Sequence, residues 1–173
     1  MIRKKKLYLR PKKPFQLTRI KEEDALVKRY ALKNKREIWK TIAKVTYFRH
    51  RAKELSKMPI EEQEVLFNKL KAIGLNTNTI ADVLDLKVEN LLDRRLTSVL
   101  AQKKIANTVR HARQLVTHKK VLIDGKAVSS PSYLVKVAEE NKIKIKNKVR
   151  KPKAEAPKEE APAEQPKEEN KNE

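Results

Sequence analysis

Residues 111–128 read HARQLVTHKKVLIDGKAV. The first half continues a helix and the second half makes a hairpin. VLI (121–123) and KAV (126–128) flank Asp124-Gly125, a dipeptide suited to a type I′ turn, in which both central residues take positive φ. Upstream, Thr108 is a natural N-cap. Val109, Ala112, Leu115 and Val116 recur at helical spacing and mark a buried stripe, which leaves Arg110, Arg113, Gln114, Thr117 and His118 on the outer face. One step further out, LLDRRLTSVLAQKK (91–104) carries a second stripe of Leu92, Leu96, Val99 and Leu100. Downstream, YLVKV (133–137) and KIKIKNKV (142–149) alternate and are expected to be strands, the latter with Ile143 and Ile145 inward. Residues 91–150 thus read as two helices with a short antiparallel sheet.

The chain before this module reads as all-helical. In IKEEDALVKRY (20–30) the acids come first and Lys28 and Arg29 last, which suits the helix dipole. Ile38, Ile42, Val45, Phe48, Ala52 and Leu55 form an amphipathic stripe over 35–57. Lys40, Lys44, Tyr47 and Arg51 recur on the opposite face. Pro59 and Gly74 suit the start and end of a third helix, in which Leu66, Leu70 and Ile73 mark the buried side. NTNT (76–79) is a loop, and 80–92 a helical connection. The fold class expected is α+β, with a basic extended arm over 1–19, a helical domain over 20–90 and the module over 91–150. Residues 151–173 have no aromatic or branched apolar side chain and are expected to be disordered.

The net charge is +21. The last 23 residues hold five lysines and seven glutamates, a net −2, so the first 150 carry +23. Such an excess argues about partners rather than fold. There is no apolar run of about 20 residues for a membrane, and MIRKKKLYLRPKKPF is basic without an apolar run behind it, so it is not read as a signal peptide. No cysteine is present for disulfides or thiolate zinc sites, and two glycines leave no room for a glycine-rich phosphate loop. His111 and His118 lie about 10 Å apart along a helix, too far to share a metal. Glu61, Glu62 and Glu64 open a helix, and Asp82, Asp85 and Asp93 are spaced like caps and ion-pair partners. No carboxylate pair or activated nucleophile stands out, so no catalytic residue, metal or cofactor is assigned.

If the module's two helices pack through their stripes, Arg94, Arg95, Lys103 and Lys104 gather around a groove with Arg110, Arg113 and His118-Lys119-Lys120. Arginine offers a planar fork to phosphate and lysine a point charge. Thr108, Gln114 and Thr117 add neutral donors. These tools suit double-stranded or junction RNA, read through phosphates, 2′-hydroxyls and shape. The row of exposed aromatics that single-strand platforms use is lacking. Trp39 reads as a packing residue, while Tyr8 and Phe15 are open between docking on the protein and wedging against RNA.

DRRLTSVLAQKK, ANTVRHARQLVTHKKVLIDGKAV and SSPSYLVKV resemble the RNA-binding module named after the fourth protein of the small ribosomal subunit. LVKRYALKNKREIWK (26–40), ADVLDLKVENLLDRRL (81–96) and the basic arm resemble that ribosomal-protein family in its archaeal and eukaryotic form. The resemblance covers roughly residues 1–146. It implies a cytoplasmic structural protein of the small subunit that binds ribosomal RNA at a multi-helix junction early in assembly. It also implies the subunit's fifth protein as a neighbour, proximity to the channel by which messenger RNA enters, and a part in decoding accuracy. RNA contacts implied are Arg94, Arg95, Lys103, Lys104, Thr108, Arg113, Gln114, His118 and Lys119. Arg110 and Lys120 join them from the helical face, Lys40, Lys44, Tyr47 and Arg51 from the 35–57 helix, and Arg3, Lys4, Lys5, Lys6, Arg10, Lys12 and Lys13 from the arm. The family usually carries glycine where this chain has Ala31, which puts the shape of that turn in question. Two other functions compete: an RNA-modifying enzyme anchored by the module, and a DNA-compacting protein. About 90 lysine-rich helical residues without a catalytic set argue against the first. The hairpin and amide contacts argue against the second.

Overall fold

The computed structural model describes residues 7–146. Arg3, Lys4, Lys5 and Lys6, the end of KIKIKNKV and the tail expected to be disordered lie outside the described residues. Within them the order is α1 (Leu17–Arg29), α2 (Lys35–Leu55), α3 (Ile60–Ile73), α4 (Ile80–Leu84), α5 (Val88–Asp93), α6 (Leu96–Gln102), α7 (Val109–Thr117), β1 (Val121–Ile123), β2 (Lys126–Ala127), α8 (Val137–Glu140) and β3 (Ile143–Ile145).

The local signals explain most boundaries. Pro59 precedes α3, Glu61 and Glu62 occupy its first turn, and Gly74 ends it in the left-handed region at φ 88. The positive φ favours glycine there, and the space a β-carbon would take is filled by the Arg94 guanidinium, 2.6 Å away at Cζ. Thr79 and Asp82 form a capping box at α4. Thr108 Oγ1 accepts from the His111 amide at 3.1 Å, so α7 starts where the sequence places its cap. Asp124 and Gly125 have φ 51 and 79, which makes the hairpin turn the expected I′ type.

The sheet has order β2-β1-β3, with Leu122 opposite Ala127 on one side of β1 and opposite Lys144 on the other. β1 and β3 bury Val121, Ile123 and Ile143 against Leu96, Val99, Leu100, Ala112 and Val116. The helical part has its own core around Val45, Ala52, Leu70, Val83 and Leu91. A smaller cluster of Tyr30, Leu32, Ile38 and Leu92 joins α1, α2 and α5. Ile42 departs from the expected stripe and is 41% exposed.

Two expectations are corrected. The stripe from Leu92 to Leu100 does not lie on one helix. The chain breaks at Arg94-Arg95, and α6 restarts with Arg95 extended at φ −73, ψ 146. YLVKV is not a strand of the sheet. Leu134 forms an isolated bridge with Arg95, the Leu96 amide donates to the Tyr133 carbonyl at 2.8 Å, and the Val135 amide to the Arg94 carbonyl at 3.0 Å. Residues 132–135 therefore strap the α5–α6 break, and Val137 already begins α8. Alternation there serves two cores, since Leu134 packs on the helical one and Val135 is buried in the module's.

Candidate nucleic-acid interface

The seam between helical part and module centres on Glu37, in the first turn of α2. Arg113 forks onto its carboxylate, with Nη2 donating to Oε1 at 2.7 Å and Nη1 to Oε2 at 3.2 Å. Arg95 Nη2 donates to Oε2 at 2.5 Å. Arg95 is 4% exposed overall, and it also donates to Ser132 Oγ and the Pro131 carbonyl at 3.4 Å each. Arg113 Nη1 reaches the Ala31 carbonyl at 3.3 Å. Burial alone would raise the Glu37 carboxyl, but the hydrogen bonds and charges of Arg113 and Arg95 outweigh it and hold it at about 2. Arg94 engages other elements. Its Nε donates to the Ile73 carbonyl at 2.6 Å, and Nη2 to the Val135 carbonyl at 3.2 Å and Glu140 at 3.4 Å.

The three arginines expected to line a groove thus have internal partners. Buried guanidinium must be paired, and the planar fork satisfies several acceptors at once. Arg94, Arg95 and Arg113 are therefore held in place by the fold, whatever else their exposed edges meet. Lys103, though exposed, also has partners within the chain, donating to the Glu140 carbonyl and Asn141 Oδ1.

Lys104, Arg110, His118, Lys119 and Lys120 behave differently. All are exposed, and their side chains have no ion pair or hydrogen bond among the described residues. Lys104 and Lys119 both have φ 56, in the left-handed position just past α6 and α7. The Ile105 amide reaches back to the Leu100 carbonyl at 3.1 Å and the Lys120 amide to Leu115 at 3.0 Å, so each lysine occupies the place of a helix-ending glycine. Ala31, φ 48, does the same after α1, with the Leu32 amide on the Val27 carbonyl at 3.0 Å. The turn keeps the left-handed form despite the alanine.

His111, Gln114, Leu115, His118 and Lys120 line one cleft of about 270 Å³ on α7. Sequence reasoning left His111 out, although its spacing of three, four and seven from Gln114, Leu115 and His118 marks the same face. Thr108 is spent on its cap, and Thr117 Oγ1 donates back to the Arg113 and Gln114 carbonyls. On α2, Lys40, Lys44, Tyr47 and Arg51 are exposed as expected, with Arg51 lying 3.3 Å from Glu54. Arg10, Lys12 and Lys13 are exposed in the arm. Tyr8 docks on Trp39, centroids 6.0 Å apart, and Trp39 Nε1 donates to buried Glu23 at 3.0 Å. Phe15 is 88% exposed. Among the described residues no helix is long and apolar enough to cross a membrane.

A family profile described as the S4 domain matches residues 94–141. The chain is also similar to small ribosomal subunit protein uS4 of several archaea. It is 43% identical to that of Ignicoccus hospitalis over 77% of this chain and 84% of the relative. It is 41% identical to that of Hyperthermus butylicus, over 79% and 81%, and 42% identical to that of Methanothermobacter thermautotrophicus, over 80% and 85%. Likeness of that degree extends well beyond the matched module into the α1–α5 region, and the chain belongs to the family of the small ribosomal subunit protein uS4.

Proposed function

We propose that this chain is a structural constituent of the small ribosomal subunit, cytoplasmic and not an enzyme, that binds small-subunit ribosomal RNA directly. The observation that supports it most is the set of exposed cations at the ends of α6 and α7 that have no partner among the described residues, on a module whose Arg94, Arg95 and Arg113 are already committed to the fold. Lys104, Arg110, Gln114, His118, Lys119 and Lys120 contact RNA, with Lys40, Lys44, Tyr47 and Arg51 from α2 and Arg10, Lys12 and Lys13 from the arm. Arg94, Arg95 and Arg113 hold the surfaces in register. Early assembly, the fifth protein as neighbour, proximity to the channel through which messenger RNA enters, and a part in decoding accuracy follow from family membership as proposals. Binding by phosphate contact releases counterions, so affinity for a small-subunit RNA junction falls steeply with salt, by a log–log slope of about −0.9 per phosphate on duplex. A slope near zero, or equal binding of duplex DNA in competition, overturns the reading. Footprinting on naked small-subunit RNA locates the junction.

A further inference from the structure

One cavity on the α2 face is not explained by phosphate binding. It measures about 410 Å³ and lies between α2 and the 132–134 strap, within the roughly 300–1,000 Å³ of small-ligand sites. Ala43, Leu91 and Leu134 give it apolar walls, while Thr41, Tyr47 and Ser132 bring hydroxyls. Glu37 is the only acid in its lining, and Arg95 and Arg113 already neutralise it. Lys40 and Lys44 at the rim are exposed and have no ion pair among the described residues. Tyr47 is 65% exposed. Apolar walls, an open aromatic face and an uncompensated cationic rim favour a ligand that is flat, apolar on its faces and anionic at one end.

We infer that this cavity seats one unstacked nucleotide of RNA, with the base inside against Tyr47 and the 5′ phosphate on Lys40 and Lys44. The inference rests on the RNA-binding reading and adds a site to it. A paired duplex has no base free to enter, so the occupant is a bulged or single-stranded nucleotide, the form in which proteins read bases by stacking. Contacts at the walls are sequence-tolerant, because every base has a π-face.

Amide NMR of the full chain tests this with adenosine 5′-monophosphate and, separately, inorganic phosphate. The nucleotide moves the signals of Thr41, Ser132 and Leu134 saturably, whereas phosphate alone moves only those near Lys40 and Lys44. Thr41→Leu fills the cavity without changing charge, and Tyr47→Ala removes an exposed ring without touching the core. Each weakens the nucleotide about tenfold, the scale of one stacking contact, and Thr41→Leu, outside the proposed RNA contacts, leaves binding of fully paired small-subunit RNA unchanged. Absence of saturable shifts at Ser132 and Leu134, in a protein that still binds the RNA junction, overturns the site and leaves the proposed function standing. Persistent proximity of Met1–Lys6 protons to the Leu134 methyls, undisturbed by nucleotide, also overturns it by giving the cavity to the chain itself. Loss of junction binding in the unaltered protein would instead overturn the reading beneath it.

Discussion

The seam and the outer face of the module use cations in opposite ways. At the seam, Arg94, Arg95 and Arg113 are mostly buried and bonded to carbonyls and to Glu37 and Glu140. On the outer face, Lys104, Lys119 and Lys120 are exposed, and their side chains are bonded to nothing among the described residues. The chemistry of the two side chains explains the division. Guanidinium is weakly hydrated and offers fixed parallel donors, so it tolerates burial when acceptors converge. Ammonium is strongly hydrated and flexible, and it keeps its charge available to a mobile or external anion. A charge count cannot distinguish these uses, yet one set builds the protein and the other addresses its partner.

The largest effect expected is at Glu37. Glu37→Ala leaves Arg95 buried without its carboxylate, and stranding one member of a buried pair costs about 3–5 kcal/mol. Chemical denaturation measures it. The salt slope of RNA binding by the folded fraction stays unchanged, because Glu37 faces no ligand phosphate. A loss below about 1 kcal/mol would mean that the seam is held by its apolar contacts alone and that the arginines are incidental to it.

The second effect comes from the same carboxyl through pH. Its folded value is about 2, against 4.5 unperturbed. A depressed folded value contributes stability that is fully present above the unfolded value and lost as pH falls from there toward the folded one. Between about pH 5 and pH 3 the loss is about 2 kcal/mol. Glu37→Gln lacks this part of the acid sensitivity, so the difference between the two proteins' unfolding curves narrows as pH falls. Parallel curves would show that the carboxylate is not held by its two arginines.

How far the sequence reveals this division depends on range. The hairpin, the Thr108 cap, the Gly74 stop and the α2 stripe are set by neighbours within one or two turns, and all were legible. Arg94 and Arg95 were misplaced because Leu92, Leu96, Val99 and Leu100 keep helical spacing straight through the break between α5 and α6. YLVKV alternates like a strand because Leu134 and Val135 face two different cores. Glu37 left one signal, as the only acid between Asp24 and Glu54 in a cationic stretch. Its partners lie 58 and 76 residues further on, and no local pattern joins them. The nucleotide-sized cavity is assembled from the arm, α2, α5, Arg95 and the strap, and only its α2 side, Lys40, Lys44 and Tyr47, was legible in the sequence.

The outer face offers a third, smaller test. Lys104 and Lys119 adopt a left-handed conformation that costs an L-residue about 1–2 kcal/mol, while glycine loses about 0.5–1 kcal/mol in backbone entropy. Lys104→Gly and Lys119→Gly should therefore each stabilise the fold by up to about 1 kcal/mol in thermal or chemical unfolding. Each should also weaken junction RNA and reduce the magnitude of the salt slope by about 1. Gain in one measurement with loss in the other is the signature of a side chain kept for its ligand. Stabilisation with RNA affinity intact would place these lysines with the merely solvated residues.

Ala31 supplies the control, with the smallest effect. It shares the left-handed helix-end geometry of the two lysines, but it carries no charge and is half-buried at the seam, its carbonyl accepting from Arg113. Ala31→Gly relieves the same backbone cost and gives up some buried β-carbon contact, so the net gain is only about 0.5 kcal/mol. RNA affinity and its salt slope should not move. If Ala31→Gly weakens RNA binding as much as Lys119→Gly does, the effect at the lysines comes from loosening helix ends rather than from removing ammonium groups. The contrast between an arginine seam and a lysine face would then fail at its lysine half.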